Sequence, residues 1–392
     1  MRHIRSLHLI DRLDKRLGGS VQATLGICKH LACAGEAVEA GGSIGPLDLL
    51  DHLDRDFPEF VTHRFPRTFP KKYANSAVFD EWFAKAVSRY DLVEIHAIFS
   101  ALTLRAAQIC RRVGKPYLVR PHGSLDPFDL QKHAMLKRVV GPTFIHPLLQ
   151  GSAAVLLTTQ LEADRLETYG AKVKKHVLPL PVSLPEMKGE REAFRSRHGI
   201  PADASVVIFM SRIDYKKGLD FLIPALGRLK AEFPNLWFIL AGTGEPSFTA
   251  QVDTWLNAYG VGSFTTKTGF VSGQDKQDVF AAADMFVLAS LNENFGIVNI
   301  EAMHAQLPVL ISSEVYIRDE ISSAGAGLVC LPEVESVTLN LRRLLESPSV
   351  RKEMGRRGAG LVSDKYRPEA ATRSLLDVYR EILGERPIST IL

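Results

Sequence analysis

The chain has 392 residues, 46% hydrophobic and 23% charged, and its 48 basic against 44 acidic side chains give a formal net charge of +4. That length suits about two domains of roughly 200 residues, each able to bury a core, and the charge balance is too slight to single out nucleic acid as a partner. No run of about 18 apolar residues predicts a membrane span, Asp11, Arg12, Asp14 and Lys15 arrive too early for a signal-peptide core, and four scattered cysteines fit a reducing cytoplasm.

Apolar strand-length runs alternate with amphipathic stretches, a pattern that predicts α/β layers around parallel sheets. In the first half the strands are expected over 4–10, 92–98, 116–120, 153–158 and 176–180. Leu17-Gly18-Gly19-Ser20 follows the first of them. Its two glycines either let a ligand's phosphate approach the backbone or form a simple tight turn. Ser20 is placed to cap a helix whose Val21, Leu25, Cys28 and Leu31 share one face. Cys28 and Cys33, with His30 between them, lack zinc spacing. Asp54-Arg55-Asp56 has the form of an ion-binding acidic pair but follows no apolar strand.

Arg120-Pro121-His122-Gly123-Ser124-Leu125-Asp126-Pro127 comes after the strand at 116–120 and combines an imidazole, a carboxylate and turn formers. Such a histidine either braces the turn or donates to a sugar hydroxyl. Arg105, Arg111, Arg112 and Lys115 form one basic cluster. A second, Lys132, Lys137 and Arg138 beside Met135, Leu136, Val139 and Val140, reads as a solvated helix face or as a basic amphipathic helix on an anionic membrane. Pro179, Pro181 and Pro185 mark a linker, which divides the chain into 1–182 and 183–367. A closing helix over about 368–392 carries the apolar stripe Ala371, Leu375, Leu376, Val378, Tyr379 and Ile382.

The second half repeats the alternation, with strands expected over 206–211, 237–242, 285–289, 309–312 and 328–331. Ligands of open parallel sheets bind beyond the carboxyl ends of the strands. Arg212 and Lys217 stand there after the first of these strands and together could clamp a diphosphate. Ala241-Gly242-Thr243-Gly244 follows the second, but Ser247 occupies the place of the third glycine that a dinucleotide fingerprint needs. Glu293 and Glu301 lie eight positions apart in Glu293-Asn294-Phe295-Gly296-Ile297-Val298-Asn299-Ile300-Glu301, a turn leading into a helix. The helix start favours phosphate, and the carboxylates accept from sugar hydroxyls, so a nucleotide-sugar matches both. Phosphate-loop and nucleophile-elbow motifs are missing, which disfavours kinase and hydrolase readings.

Together these residues resemble the retaining glycosyltransferases of family 4, which have the GT-B fold of two Rossmann-like domains with parallel sheets facing an interdomain cleft. The resemblance is strongest over 205–331, in Ser211-Arg212-Ile213-x3-Lys217-Gly218, Ala241-Gly242-Thr243-Gly244, Gly269-Phe270-Val271 and Glu293-Asn294-Phe295-Gly296-x4-Glu301-Ala302-Met303-x4-Pro308-Val309. Gly18-Gly19 and His122-Gly123-Ser124-Leu125-Asp126-Pro127 are similar to bacterial surface-polysaccharide members. Ser211 stands where the family usually has glycine.

The resemblance implies that Arg212 and Lys217 bind the donor diphosphate and that Glu301 holds the ribose. It gives Glu293 and the backbone of Phe295, Gly296 and Ile297 to the donor sugar and phosphate, with Gly242 lining the donor site. Val271 would lie near the base, Gly19 by the phosphate and His122 near the transferred sugar. It further implies a UDP- or GDP-sugar donor, a glycan acceptor, lipid-linked in surface-polysaccharide synthesis, no metal cofactor and a cytoplasmic enzyme in peripheral contact with anionic membrane. The same architecture also serves nucleotide-sugar epimerases and phosphorylases, and a non-catalytic nucleotide-sugar-binding module is the reading from another class.

Overall fold

A computed structural model describes residues 2–14, 19–46, 48, 50, 53–126, 141–170, 172–182 and 184–386. The chain divides into two compact units, Met1–Ser183 with Tyr366–Leu392, and Leu184–Lys365. Gly18 and the basic stretch at 132–138 lie outside the described residues.

The first unit holds a parallel sheet of seven strands: β1 (Arg5–Arg12), β2 (Ala37–Ile44), β3 (Val61–Pro66), β4 (Leu92–His96), β5 (Tyr117–Arg120), β6 (Ala154–Leu157) and β7 (Lys175–Val177), in the order β3-β2-β1-β4-β5-β6-β7. The second holds six: β8 (Ser205–Met210), β9 (Leu236–Ala241), β10 (Thr265–Gly269), β11 (Met285–Leu288), β12 (Val309–Ser312) and β13 (Gly327–Cys330), in the order β10-β9-β8-β11-β12-β13. Strands covered by helices on both faces are mostly apolar, and every residue of β4, β5, β6, β11 and β12 is buried, the polar Glu94, His96, Arg120 and Ser312 among them. In both sheets the winding reverses beside the first strand, between β1 and β4 and between β8 and β11. Such a reversal leaves a crevice beyond the strands' carboxyl ends.

Three strands escape the sequence pattern. β2 is rich in alanine and glycine, β3 carries His63, Arg64 and Pro66, and β10 reads Thr-Thr-Lys-Thr-Gly. β3 and β10 are edge strands, where one side of the ladder meets solvent and polar residues are tolerated. The helix Gly19–Cys33 begins one residue before Ser20, so Ser20 sits in its first turn instead of capping it. Cys28 is buried in this helix and Cys33 is exposed. The closing helix, Pro368–Ile382, belongs to the first unit, packs on Gly19–Cys33 and buries Ala371, Leu375, Leu376, Val378 and Tyr379. Among the described residues no helix is long and apolar enough to cross a membrane.

Gly242 shows how tightly the second sheet's loops are packed. At φ 141° its position is closed to ordinary side chains, and a Cβ there would lie 1.8 Å from the Ser211 carbonyl oxygen. Gly260, at φ 67°, faces open space. We therefore expect Gly242→Ala to cost roughly 3–4 kcal/mol in urea unfolding and Gly260→Ala only about 1–2 kcal/mol. Equal losses would contradict this packing.

Candidate functional site

The second unit builds a polar site where its winding reverses. After β8 the chain passes Arg212, and Asp214 caps the turn Tyr215–Lys217 by accepting from the Lys216 N–H at 3.0 Å. Gly218, at φ 72°, then opens the helix Leu219–Leu229. The Leu291 N–H donates to the Lys216 carbonyl at 2.7 Å, which ties this loop to the one after β11. The Glu293 N–H donates to the Glu314 carbonyl, and its own carbonyl accepts from the Tyr316 N–H, each at 3.0 Å. The loops after β8, β11 and β12 are thus fastened together by backbone bonds, so the side chains they carry are held in place.

Lys217 is almost buried and donates to the Glu293 carboxylate. Arg212 is exposed and has no ion-pair partner among the described residues. Gly296, at φ 64°, turns the chain into the helix Ile297–His304, whose start no side chain caps. The first N–H groups of that helix are therefore open to an anion, and its dipole favours one. Phe295 is buried and Ile297 is half-buried. Glu301 pairs at 2.5 Å with Lys276 of the helix Gly273–Ala282. Lys276 escaped the sequence reading because it lies in a short polar helix of no distinctive pattern. Half-buried Val271 lies between β10 and that helix. Gly242, expected to line the donor site, lies so close to the Ser211 backbone that only glycine fits there.

In the first unit, His122 follows β5 at φ 52°. Glu162 fixes its turn, accepting from the Gly123 N–H at 2.7 Å and from the Thr158 N–H and hydroxyl at 2.7 and 2.8 Å. Behind His122 lies a buried cluster that sequence reasoning missed: His8 on β1, Glu94 and His96 on β4, and Arg120 on β5. Arg120 Nε donates to Glu94 at 2.7 Å, and the Tyr379 hydroxyl donates to the same carboxylate. Burial opposes ionisation of Glu94, but Arg120, His96, His8 and Tyr379 hold its carboxyl far below the usual range. Burial pushes His8 down to about 4 and His96 well below its ordinary value, while burial and Arg120 push His122 down to about 3. All three imidazoles are neutral at pH 7.

Several charged candidates of the first unit meet partners within it. Asp54 pairs with Arg64 at 2.6 Å, Arg105 lies 3.4 Å from Asp80, and Arg111 and Lys115 donate to the Pro147 and Tyr90 carbonyls. Gly19 is the exposed first residue of its helix, and a Cβ there would meet nothing within 4 Å.

Two family models match in succession, "Glycosyl transferase 4-like domain" over residues 18–181 and "Glycosyl transferases group 1" over residues 190–360. The chain belongs to the family 4 glycosyltransferases. As a member it is a glycosyltransferase of GT-B type that uses a nucleotide-sugar donor. It is 26% identical over 284 residues to alpha-D-kanosaminyltransferase of Streptomyces kanamyceticus, a match spanning 69% of this chain and 72% of that one. It is 30% identical over 256 residues to D-inositol 3-phosphate glycosyltransferase of Kineococcus radiotolerans, spanning 60% of this chain and 59% of the relative. In fold it is similar to HepE of Anabaena in complex with UDP-glucose (TM-score 0.81, 17% identity, 97% of this chain and 100% of that one). It is likewise similar to sucrose-phosphate synthase of Thermosynechococcus elongatus (TM-score 0.79, 19% identity, 97% and 99%).

The neutral imidazoles make stability depend on pH. Between about 6.5 and the depressed native values the unfolded chain binds protons that the native His8 and His122 exclude, so stability falls as pH falls. The thermal midpoint is expected to drop from pH 6.5 toward pH 4, and His122→Asn, compatible with a left-handed φ, to flatten the decline. A midpoint constant down to pH 4 would contradict the assignment.

Proposed function

We propose that the protein transfers a hexosyl group, with retention and without a metal, from a UDP- or GDP-sugar to a glycan acceptor. The observation that carries this reading is the meeting of Lys217 with Glu293 beside the uncapped start of Ile297–His304, with Arg212 following the same strand. A cation held by a carboxylate at a helix N-terminus is prepared for an anion that brings its own hydroxylated neighbour. In this account the diphosphate takes Lys217, Arg212 and the N–H groups of Gly296 and Ile297, with the backbone of Phe295 alongside. Glu293, relieved of its cation, receives hydroxyls of the donor sugar. Glu301 grips the ribose with Lys276 beside it, Val271 lies by the base, Gly19 lies by the phosphate and His122 serves the sugar in transfer.

During reaction the bond between the sugar's anomeric carbon and the diphosphate oxygen breaks. The acceptor oxygen bonds to that carbon on the same face, and its proton passes to the leaving phosphate. Charge grows on the diphosphate as the sugar becomes oxocarbenium-like, so fixed cations and N–H groups stabilise the transition state more than the ground state. The similarity to HepE, a complex with UDP-glucose, supports a UDP-sugar donor. Similarity in fold to WaaG, a glycosyltransferase involved in lipopolysaccharide biosynthesis, supports a lipid-linked surface glycan as acceptor. We assign the enzyme to the cytoplasm, at the inner face of the membrane.

Release of free nucleotide from a nucleotide-sugar should require acceptor, and the product should keep the donor's anomeric configuration. Arg212→Ala and Lys217→Ala should each lower kcat by on the order of 10²–10³, and Glu301→Ala should abolish transfer, all with unchanged circular dichroism. Full activity in any of the three would overturn the site. Acceptor-independent turnover would point to epimerisation instead.

A further inference from the structure

Three histidines of the first unit, buried His8 and His96 and half-buried His122, form a continuous row across neighbouring strands. His8 Nδ1 lies 3.0 Å from His96 Nε2, and His96 Nδ1 lies 3.0 Å from His122 Nε2. The rings stack in pairs, with centroids 5.3 and 5.2 Å apart. At the far end His8 Nε2 meets the Ser6 hydroxyl at 3.3 Å. The register explains the alignment: His8 on β1 is opposite Glu94 on β4, and His96 is opposite Arg120 on β5. Alternate residues Glu94 and His96 therefore share one face of the sheet.

A neutral imidazole has one N–H and one bare nitrogen, so a row of them linked nitrogen to nitrogen can be polarised in only two ways. The groups along the row choose between them. The Ser6 hydroxyl can donate or accept and fits both. Glu94 only accepts, and its Oε1 lies 3.4 Å from His96 Nε2. That carboxylate stays ionised because Arg120 and Tyr379 occupy its two oxygens. A proton on His96 Nε2 then leaves His96 Nδ1 bare. We propose that Glu94 and His96 are positioning residues that fix His122 as the tautomer protonated on Nε2, leaving its Nδ1 as a hydrogen-bond acceptor for a substrate hydroxyl. Among the described residues His122 Nδ1 has no hydrogen-bond partner. The depressed basicity of all three rings keeps the row neutral at pH 7, so it sets orientation without adding positive charge.

A metal ion is the competing use of this cluster, since ligand atoms of His8, Glu94 and His96 lie within 4.8 Å of one another. The buried Arg120 guanidinium, 2.7 Å from Glu94, stands against a second cation there, and both carboxylate oxygens are already engaged.

The role given to the bare Nδ1 rests on the reading that His122 serves the transferred sugar, whereas the tautomer itself is read without substrate. Long-range proton–nitrogen correlation spectra of the ligand-free, histidine-labelled protein, with His122 assigned through His122→Asn, should show hydrogen on Nε2 and a bare Nδ1. His96→Asn places an amide oxygen near the lost Nδ1 and should keep both the tautomer and most of kcat. His96→Ala should mix the tautomers and lower kcat on the order of 10–100-fold, as loss of an orienting partner does elsewhere, with the donor KM unchanged. Hydrogen on His122 Nδ1 in the wild type, equal kcat losses in the two variants, or zinc chloride shifting the His8 and His96 signals would each overturn the proposal. A wild-type protein that transfers no sugar but shows the expected spectrum would instead defeat the transferase reading and leave the tautomer standing.

Discussion

The reversal of winding in each parallel sheet is the constraint on which the chemistry rests. Connections from β8 leave toward β9 on one side, and those from β11 leave toward β12 on the other, so the carboxyl ends between them stay uncovered. Through that opening Lys217 meets Glu293, 76 residues further along the chain. A nearly buried ammonium without a partner would be costly, and the Glu293 carboxylate supplies that partner. The same reversal in the first unit sets His8, Glu94, His96 and Arg120 on three adjacent strands behind His122.

The two units use electrostatics in opposite senses. The second collects positive groups and an open helix start, a field suited to charge that grows on a leaving diphosphate. The first confines the buried Glu94 carboxylate with Arg120 and Tyr379 and keeps the His8, His96 and His122 imidazoles uncharged, which suits hydrogen bonding to hydroxyls. The closing helix contributes to the first unit's arrangement as well as to its packing. Its Tyr379 lies inside the apolar stripe, yet its hydroxyl reaches Glu94.

Most of the architecture was legible because central parallel strands are apolar runs of strand length: β8, β9, β11 and β12 all fall within a residue of where the pattern puts them. β2, β3 and β10 were not legible, since glycine-rich and polar strands carry no such signature. The residues Arg212, Lys217, Glu293 and Glu301 stood out because they follow apolar strands in polar turns. His8 and the pair Glu94 and His96 were passed over because they lie within apolar runs, Leu7-His8-Leu9 and Val93-Glu94-Ile95-His96. Polar side chains inside an otherwise apolar strand were the available signal, but only the pairing of β1, β4 and β5 shows that they meet. Lys276 had no signal of its own, because its meaning comes from Glu301.

The most direct test is a crystal structure of the protein with an intact nucleotide-sugar. The account predicts that Lys217 turns from Glu293 to a phosphate oxygen, that the Ile297 N–H donates to the same diphosphate, and that Glu301 accepts from the ribose hydroxyls. A nucleotide-sugar bound elsewhere, with the Lys217–Glu293 pair intact, would contradict it.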